Sequence, residues 1–234
     1  MKEPQDAHVF CVDIGSTKEK NFAWCTEVDG GLRGSTEIEE LIEELDLAMR
    51  SRQPVALGFE APLYIPVPKD ARNLGKGRPL EKSHPWSQSI GATAGLLGLH
   101  QCAWILRSIR SHRPPYSLKM GNAEWTGSLS APILYCWEAF VCGDAHSRKE
   151  GVDGHLRDAA NGLRCFRTDE GIPPEAGTAA LSLIGTAALW TGWLDGVASL
   201  REELPLVFKP TELLPDEVQI ERWKSSVAAI HASR

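Results

Sequence analysis

Three acids stand where apolar runs end, and a fourth stands near the start of a helix. Asp13 closes the run that begins at His8, Glu60 closes Val55-Ala56-Leu57-Gly58-Phe59, Glu138 follows the run 131–137, and Asp158 falls in the first turn of a predicted helix over 156–166. Carboxylates at strand ends suit the holding of a hard cation, because ligands of open α/β sheets gather outside the carboxyl ends of the strands. Two carboxylates ~4 Å apart repel by about 4 kcal/mol at an effective dielectric near 20, so three or four that converge call for a divalent ion, a shared proton or a Lys/Arg partner. A ligand set of oxygen alone favours Mg²⁺ or Mn²⁺ over Zn²⁺. Each acid also has an ordinary explanation. Asp13 can simply begin a turn, Glu60 can be a surface acid before Ala61-Pro62, and an acid such as Asp158 suits a helix dipole.

The elements that would position these acids follow from hydrophobic period and punctuation. The β-branched and aromatic run ending at Asp13 reads as a buried strand, 20–28 as a second and 31–35 as a third, with Asp29-Gly30 as the hairpin turn between the last two. Ser35-Thr36-Glu37 caps a helix whose apolar residues Ile38, Leu41, Ile42, Leu45 and Met49 recur at helical spacing. A strand to Phe59, a helix over 90–109 and a strand over 131–137 follow. Three further helices are predicted over 156–166, 176–193 and 216–232.

Between Glu60 and the second helix lies a long Pro-rich, Gly-bearing loop, 62–89, in which Lys69, Arg72, Lys76, Arg78 and Lys82 outnumber Asp70 and Glu81. Loops of this length in folded domains are commonly functional, and these five cations form a candidate substrate-binding set for a phosphate-bearing molecule. A merely solvated loop fits the same composition.

Length and composition narrow the classes further. A chain of 234 residues with 42% hydrophobic content is read as one domain, 1–234, with the basic loop at 62–89 and a helical extension at 196–234. A net charge of −6 argues against a protein that coats nucleic acid through overall charge, though a local basic patch remains compatible with one. The six cysteines show neither a C-x-x-C pair nor zinc spacing, and the first residues lack the apolar core of a secretion signal. A cytoplasmic setting is expected. The weakly charged stretches 86–106 and 176–194 carry too many polar or small residues to be read as membrane spans. Oligomeric state is left open.

Several motifs taken together resemble one family. Val12-Asp13-Ile14-Gly15, Gly58-Phe59-Glu60-Ala61-Pro62-Leu63-Tyr64-Ile65-Pro66, His84-Pro85-Trp86-Ser87, Trp137-Glu138-Ala139-Phe140 and His155-Leu156-Arg157-Asp158-Ala159-Ala160 resemble the domain of unknown function 429 family, over roughly residues 9–193. The resemblance implies an α/β, ribonuclease-H-like fold with a central mixed five-stranded sheet and helices on both faces. It implies metal ligands at Asp13, Glu60, Glu138 and Asp158, with Asp13, Glu60 and Asp158 catalytic. It departs from the family at Glu60, where Asp is the commoner residue. The implied activity is a Mg²⁺- or Mn²⁺-dependent nuclease or phosphodiesterase, with nucleic acid or another phosphoester as partner. Asp13 would bridge two ions roughly 3.5–4 Å apart, with Glu60 and Asp158 each holding one. His155 could orient a water there, or serve only as a helix-start residue. Carboxylates more than ~8 Å from Asp13 would be too far to share such a centre.

Two other classes fit parts of the chain. One is a non-catalytic binding or scaffold protein on the same fold. The other is a nucleotide-binding phosphotransferase, because Asp13-Ile14-Gly15-Ser16-Thr17 followed by Lys18 or Lys20 also resembles the first phosphate loop of actin-like ATPases and sugar kinases. Ile184-Gly185-Thr186 is a poor second phosphate loop, since it lacks the acid.

Overall fold

The apolar run to Asp13 forms β1 (His8–Asp13), and the next strand, β2 (Ala23–Val28), turns back on it through Asp29-Gly30 into β3 (Gly31–Ser35). Asp29 and Gly30 both take positive φ, 51° and 76°, which matches the twist of a two-residue hairpin turn. Then come α1 (Ile38–Arg50), β4 (Val55–Glu60), the short β5 (Tyr64–Pro66), α2 (Gly91–Ser108), β6 (Ser117–Lys119), β7 (Ile133–Ala139), α3 (Val152–Thr168), β8 (Ala180–Ser182), α4 (Leu183–Thr191), β9 (Val207–Phe208) and β10 (Ile220–Arg222). A computed structural model describes residues 7–81, 87, 91–121, 132–141, 151–168, 171–175, 179–197 and 204–223.

The protein is α/β, with a mixed central sheet flanked by helices. The expected sheet of five strands is, among the described residues, a sheet of eight, in the order β10-β3-β2-β1-β4-β7-β6, with β9 beside β7. β2 pairs antiparallel with both β1 and β3, and every other pairing in this sheet is parallel. The additional strands are short segments of two or three residues, which carry too little pattern to stand out. β6 and β9 line the two halves of the same β7 edge, and β10 covers the outer edge of β3.

Both faces of the central strands are buried. In β1, Phe10 and Val12 face the cluster containing α1 and α2, while Val9 and Cys11 face the side covered by α3. The same alternation runs through β4, where Val55, Leu57 and Phe59 face the α1/α2 layer and Ala56 the opposite one. Residues of one parity therefore share a face, which decides what each strand-end acid can reach. α3 approaches β1 closely because Gly162 has no side chain: a Cβ there would lie 2.5 Å from Cys11 Sγ and 3.0 Å from Ala139 Cβ.

Three expected boundaries are corrected. The helix read over 176–193 begins only at Leu183, because Ser182 accepts the Gly185 N–H at 3.0 Å as its cap, while β8 before it pairs with β5. α3 begins at Val152, so Asp158 lies in its second turn rather than its first. The helix expected over 216–232 is not the state of its first part, where β10 is in parallel register with β3, Ile220 opposite Leu32. Unsatisfied strand-edge groups on β3 outweigh the weak helical pattern of that segment. The rest of the expected helix lies outside the described residues. No helix among the described residues is long and apolar enough to cross a membrane.

Candidate metal centre

Parity brings Asp13 and Glu60 together. β1 and β4 are parallel neighbours with Asp13 directly opposite Glu60. Asp13 has the parity of Val9 and Cys11, and Glu60 that of Ala56, so both carboxylates project toward the face that α3 covers. On α3, Asp158 precedes Gly162 by four residues and so shares the stripe that comes closest to β1. Asp13, Glu60 and Asp158 each offer a carboxylate oxygen, and these atoms lie within 4.8 Å of one another. All three residues are buried, and this triad could bind a metal ion. The separation is well inside the ~8 Å beyond which a shared centre fails. Glu60, despite its extra methylene, takes part.

His155 lies one turn before Asp158 on the same stripe. Its Nδ1 is 2.7 Å from Asp13 Oδ2, with 28% of the imidazole side chain exposed. The hydrogen bond to Asp13 raises the His155 pKa above its ordinary value, against a smaller opposing effect of partial burial. His155 therefore orients one carboxylate of the triad, a role the sequence alone left between water orientation and simple helix initiation. On the opposite side, Gln101 of α2 donates Nε2–H to the carbonyl of Gly15 at 2.6 Å and holds the loop that leaves Asp13. Nothing in the local sequence signals that contact.

Glu138 is not part of this centre. It is the sixth residue of β7 rather than a residue beyond the strand, and it has the parity of Leu134 and Cys136, which face α2. Its carboxylate thus leaves the sheet on the opposite side from Asp13 and Glu60. There Arg78 donates to both Glu138 oxygens at 2.6 and 2.7 Å, and Leu63 N–H donates to Oε2 at 2.9 Å.

Arg78 is correspondingly not a surface cation for substrate. It is 2% exposed, it also donates Nε–H to Glu81 Oε1 at 2.6 Å, and its guanidinium lies 4.6 Å from the centre of the Tyr64 ring. Burial alone would lower its pKa, but the attraction of Glu138 holds it above the usual guanidinium value. Of the other expected loop cations, Arg72 is exposed and donates its backbone and side-chain N–H groups to Asp70. Lys69 and Lys76 are exposed, with no ion pair among the described residues, and Lys82 lies outside them.

Other chemistries find less support in the geometry. Ile184, Gly185 and Thr186 lie inside α4, where Thr186 Oγ1 donates back to the Ser182 carbonyl at 2.7 Å, so this segment is no phosphate loop. Burial pushes the Cys25 and Cys136 thiols up to about 12 and raises Cys11 and Cys102 as well, which leaves these thiols poor nucleophiles. No family model, curated protein or solved structure matches the chain.

Proposed function

We propose that the protein is a divalent-metal-dependent phosphodiester hydrolase, a nuclease or phosphodiesterase on a ribonuclease-H-like domain of the family it resembles. One observation carries this reading: three buried carboxylates from two adjacent strand ends and a crossing helix, with ligand oxygens within 4.8 Å of one another. The donor set is all oxygen and all anionic, which fits Mg²⁺ or Mn²⁺. When bound, such ions lower the pKa of a water and offset charge on a phosphoryl group.

The chain's own residues supply the rest. β1 and β4 fix Asp13 and Glu60 side by side, α3 brings Asp158 over them, and the three carboxylates would hold the ion. His155 sets the orientation of the Asp13 carboxylate and, being partly exposed, marks the side from which solvent reaches the triad. Lys69 and Lys76 are exposed cations on the loop that follows Glu60. The strand order β3-β2-β1-β4-β7, with β2 alone reversed, supports the ribonuclease-H-like assignment.

The test is Mn²⁺-dependent cleavage of single-stranded DNA, RNA and a simple aryl phosphodiester. Wild type should cleave at least one of them, and Asp13→Asn and Asp158→Asn should each remove that activity and Mn²⁺ binding together. Failure of the wild type to bind Mn²⁺ or Mg²⁺, or full activity in Asp13→Asn, overturns the reading.

A further inference from the structure

The basic loop does more than present charge, because it walls a cavity. Between residues 66–80 and the segment 172–175 lies a pocket of about 380 Å³ with Tyr64 and Arg78 among its lining residues. That size is in the range of sites for small organic ligands and far below what a duplex would require. Four prolines, Pro66, Pro68, Pro79 and Pro173, contribute to the lining. Their ring-locked φ angles make the wall rigid before any ligand arrives. Tyr64 and Pro66 are pinned by pairing with β8, and Arg78 by its bonds to Glu138 and Glu81.

The chemistry of the lining is specific. Proline and leucine surfaces offer flat apolar contact, the Asn73 amide can both donate and accept, Glu175 can accept from an amino group, and Lys76 supplies an ammonium. Flat contact plus an amide and a carboxylate suits the edge of an amino-bearing heterocycle, and an ammonium suits a phosphate.

We propose that this pocket binds a single nucleotide, its base between the proline walls and its phosphate toward Lys76. It is a second site, independent of the hydrolase reading, because none of the triad lines the pocket.

Calorimetric titration with adenosine or cytidine monophosphate in EDTA tests the binding, with Mn²⁺ titrated separately into the same preparations. Wild type should bind the monophosphate without metal. Lys76→Glu, a surface change that leaves the core untouched, should weaken it roughly tenfold or more while affecting the parent nucleoside little. Leu80→Trp, which fills the cavity, should weaken both. No binding to wild type, inorganic phosphate binding as tightly as the monophosphate, or an unchanged affinity in both variants overturns the proposal. Nucleotide binding with no Mn²⁺ binding sinks the hydrolase reading and leaves the pocket standing. Mn²⁺ binding lost in Asp13→Asn, with no nucleotide binding, does the reverse.

Discussion

Two acidic clusters lie at the same end of one sheet and have opposite characters. Asp13, Glu60 and Asp158 gather three carboxylates with an imidazole on the α3 face. One strand over, Glu138 and Glu81 surround a guanidinium on the other face. Adjacent parallel strands are only about 4.8 Å apart, so the two environments differ less in position than in the face each side chain takes. On one face the chain supplies its own cation, fully desolvated and held by several hydrogen bonds, and the acids become an anchor for the loop. On the other, three buried carboxylates lie close together and could bind a metal ion. The 28% exposure of the His155 side chain against 1% for that of Arg78 is consistent with that division.

The largest effect should come from taking away the internal cation. Arg78→Met leaves Glu138 and Glu81 buried without their guanidinium, and should cost about 3–5 kcal/mol in urea unfolding. Replacing Arg78, Glu138 and Glu81 together by Met should recover most of that loss, since apolar substitution of a whole buried ionic set is close to neutral. A small loss in the single variant would mean that the network is not the anchor described. Next in size is the metal-dependent gain at the triad. With Mn²⁺ at a hundred times its dissociation constant, wild type should gain about 2.7 kcal/mol, read as a shift in thermal midpoint, and Asp13→Asn should gain nothing. The same titration on Glu138→Gln, measured as the change on adding Mn²⁺, should retain the gain, because that acid faces away.

The asymmetry between the clusters was only half legible in the sequence. The apolar runs ending at Asp13 and Glu60 and the helical stripe carrying Asp158 gave three acids at ligand-favouring positions. Glu138 looked equivalent because β7 is buried on both faces, and a strand without polar alternation does not reveal which way a given residue points. The burial of Arg78 is hidden in the sequence for a related reason. Its neighbours Lys76 and Lys82 make the loop look solvated, while the acids that draw Arg78 inward come from Glu81, three residues on, and from Glu138 at a separation of 60 residues. Short edge strands such as β6, β9 and β10 are fixed by their partners' unsatisfied backbone groups rather than by their own pattern.

A smaller effect probes how tightly α3 is set against the sheet. Gly162→Ala places a methyl group against Cys11 Sγ and Ala139, and overpacking of this kind costs about 1–3 kcal/mol. Displacing α3 also moves Asp158 from its partners, so Mn²⁺ affinity should fall with stability. Loss of stability with unchanged affinity would show that the helix can shift without disturbing the triad.

The smallest effect calibrates both clusters against an acid–base pair near solvent. Asp46 accepts from Arg50 and lies 2.5 Å from His112 Nε2, with 36% of its side chain exposed. Slight burial would raise its pKa, but the hydrogen bonds from His112 and Arg50 outweigh it and hold the carboxyl below its ordinary value. A depressed folded-state value stabilises the protein above the unfolded pKa of about 3.9, and that contribution is lost as pH falls through the lower folded value. Asp46→Asn should therefore cost less than about 1 kcal/mol near neutrality, with the difference from wild type shrinking below about pH 4. Unfolding curves of the two proteins between neutral and acidic pH measure this. A cost at neutrality as large as that of Arg78→Met would mean that burial is not what separates an anchoring ion pair from an ordinary one.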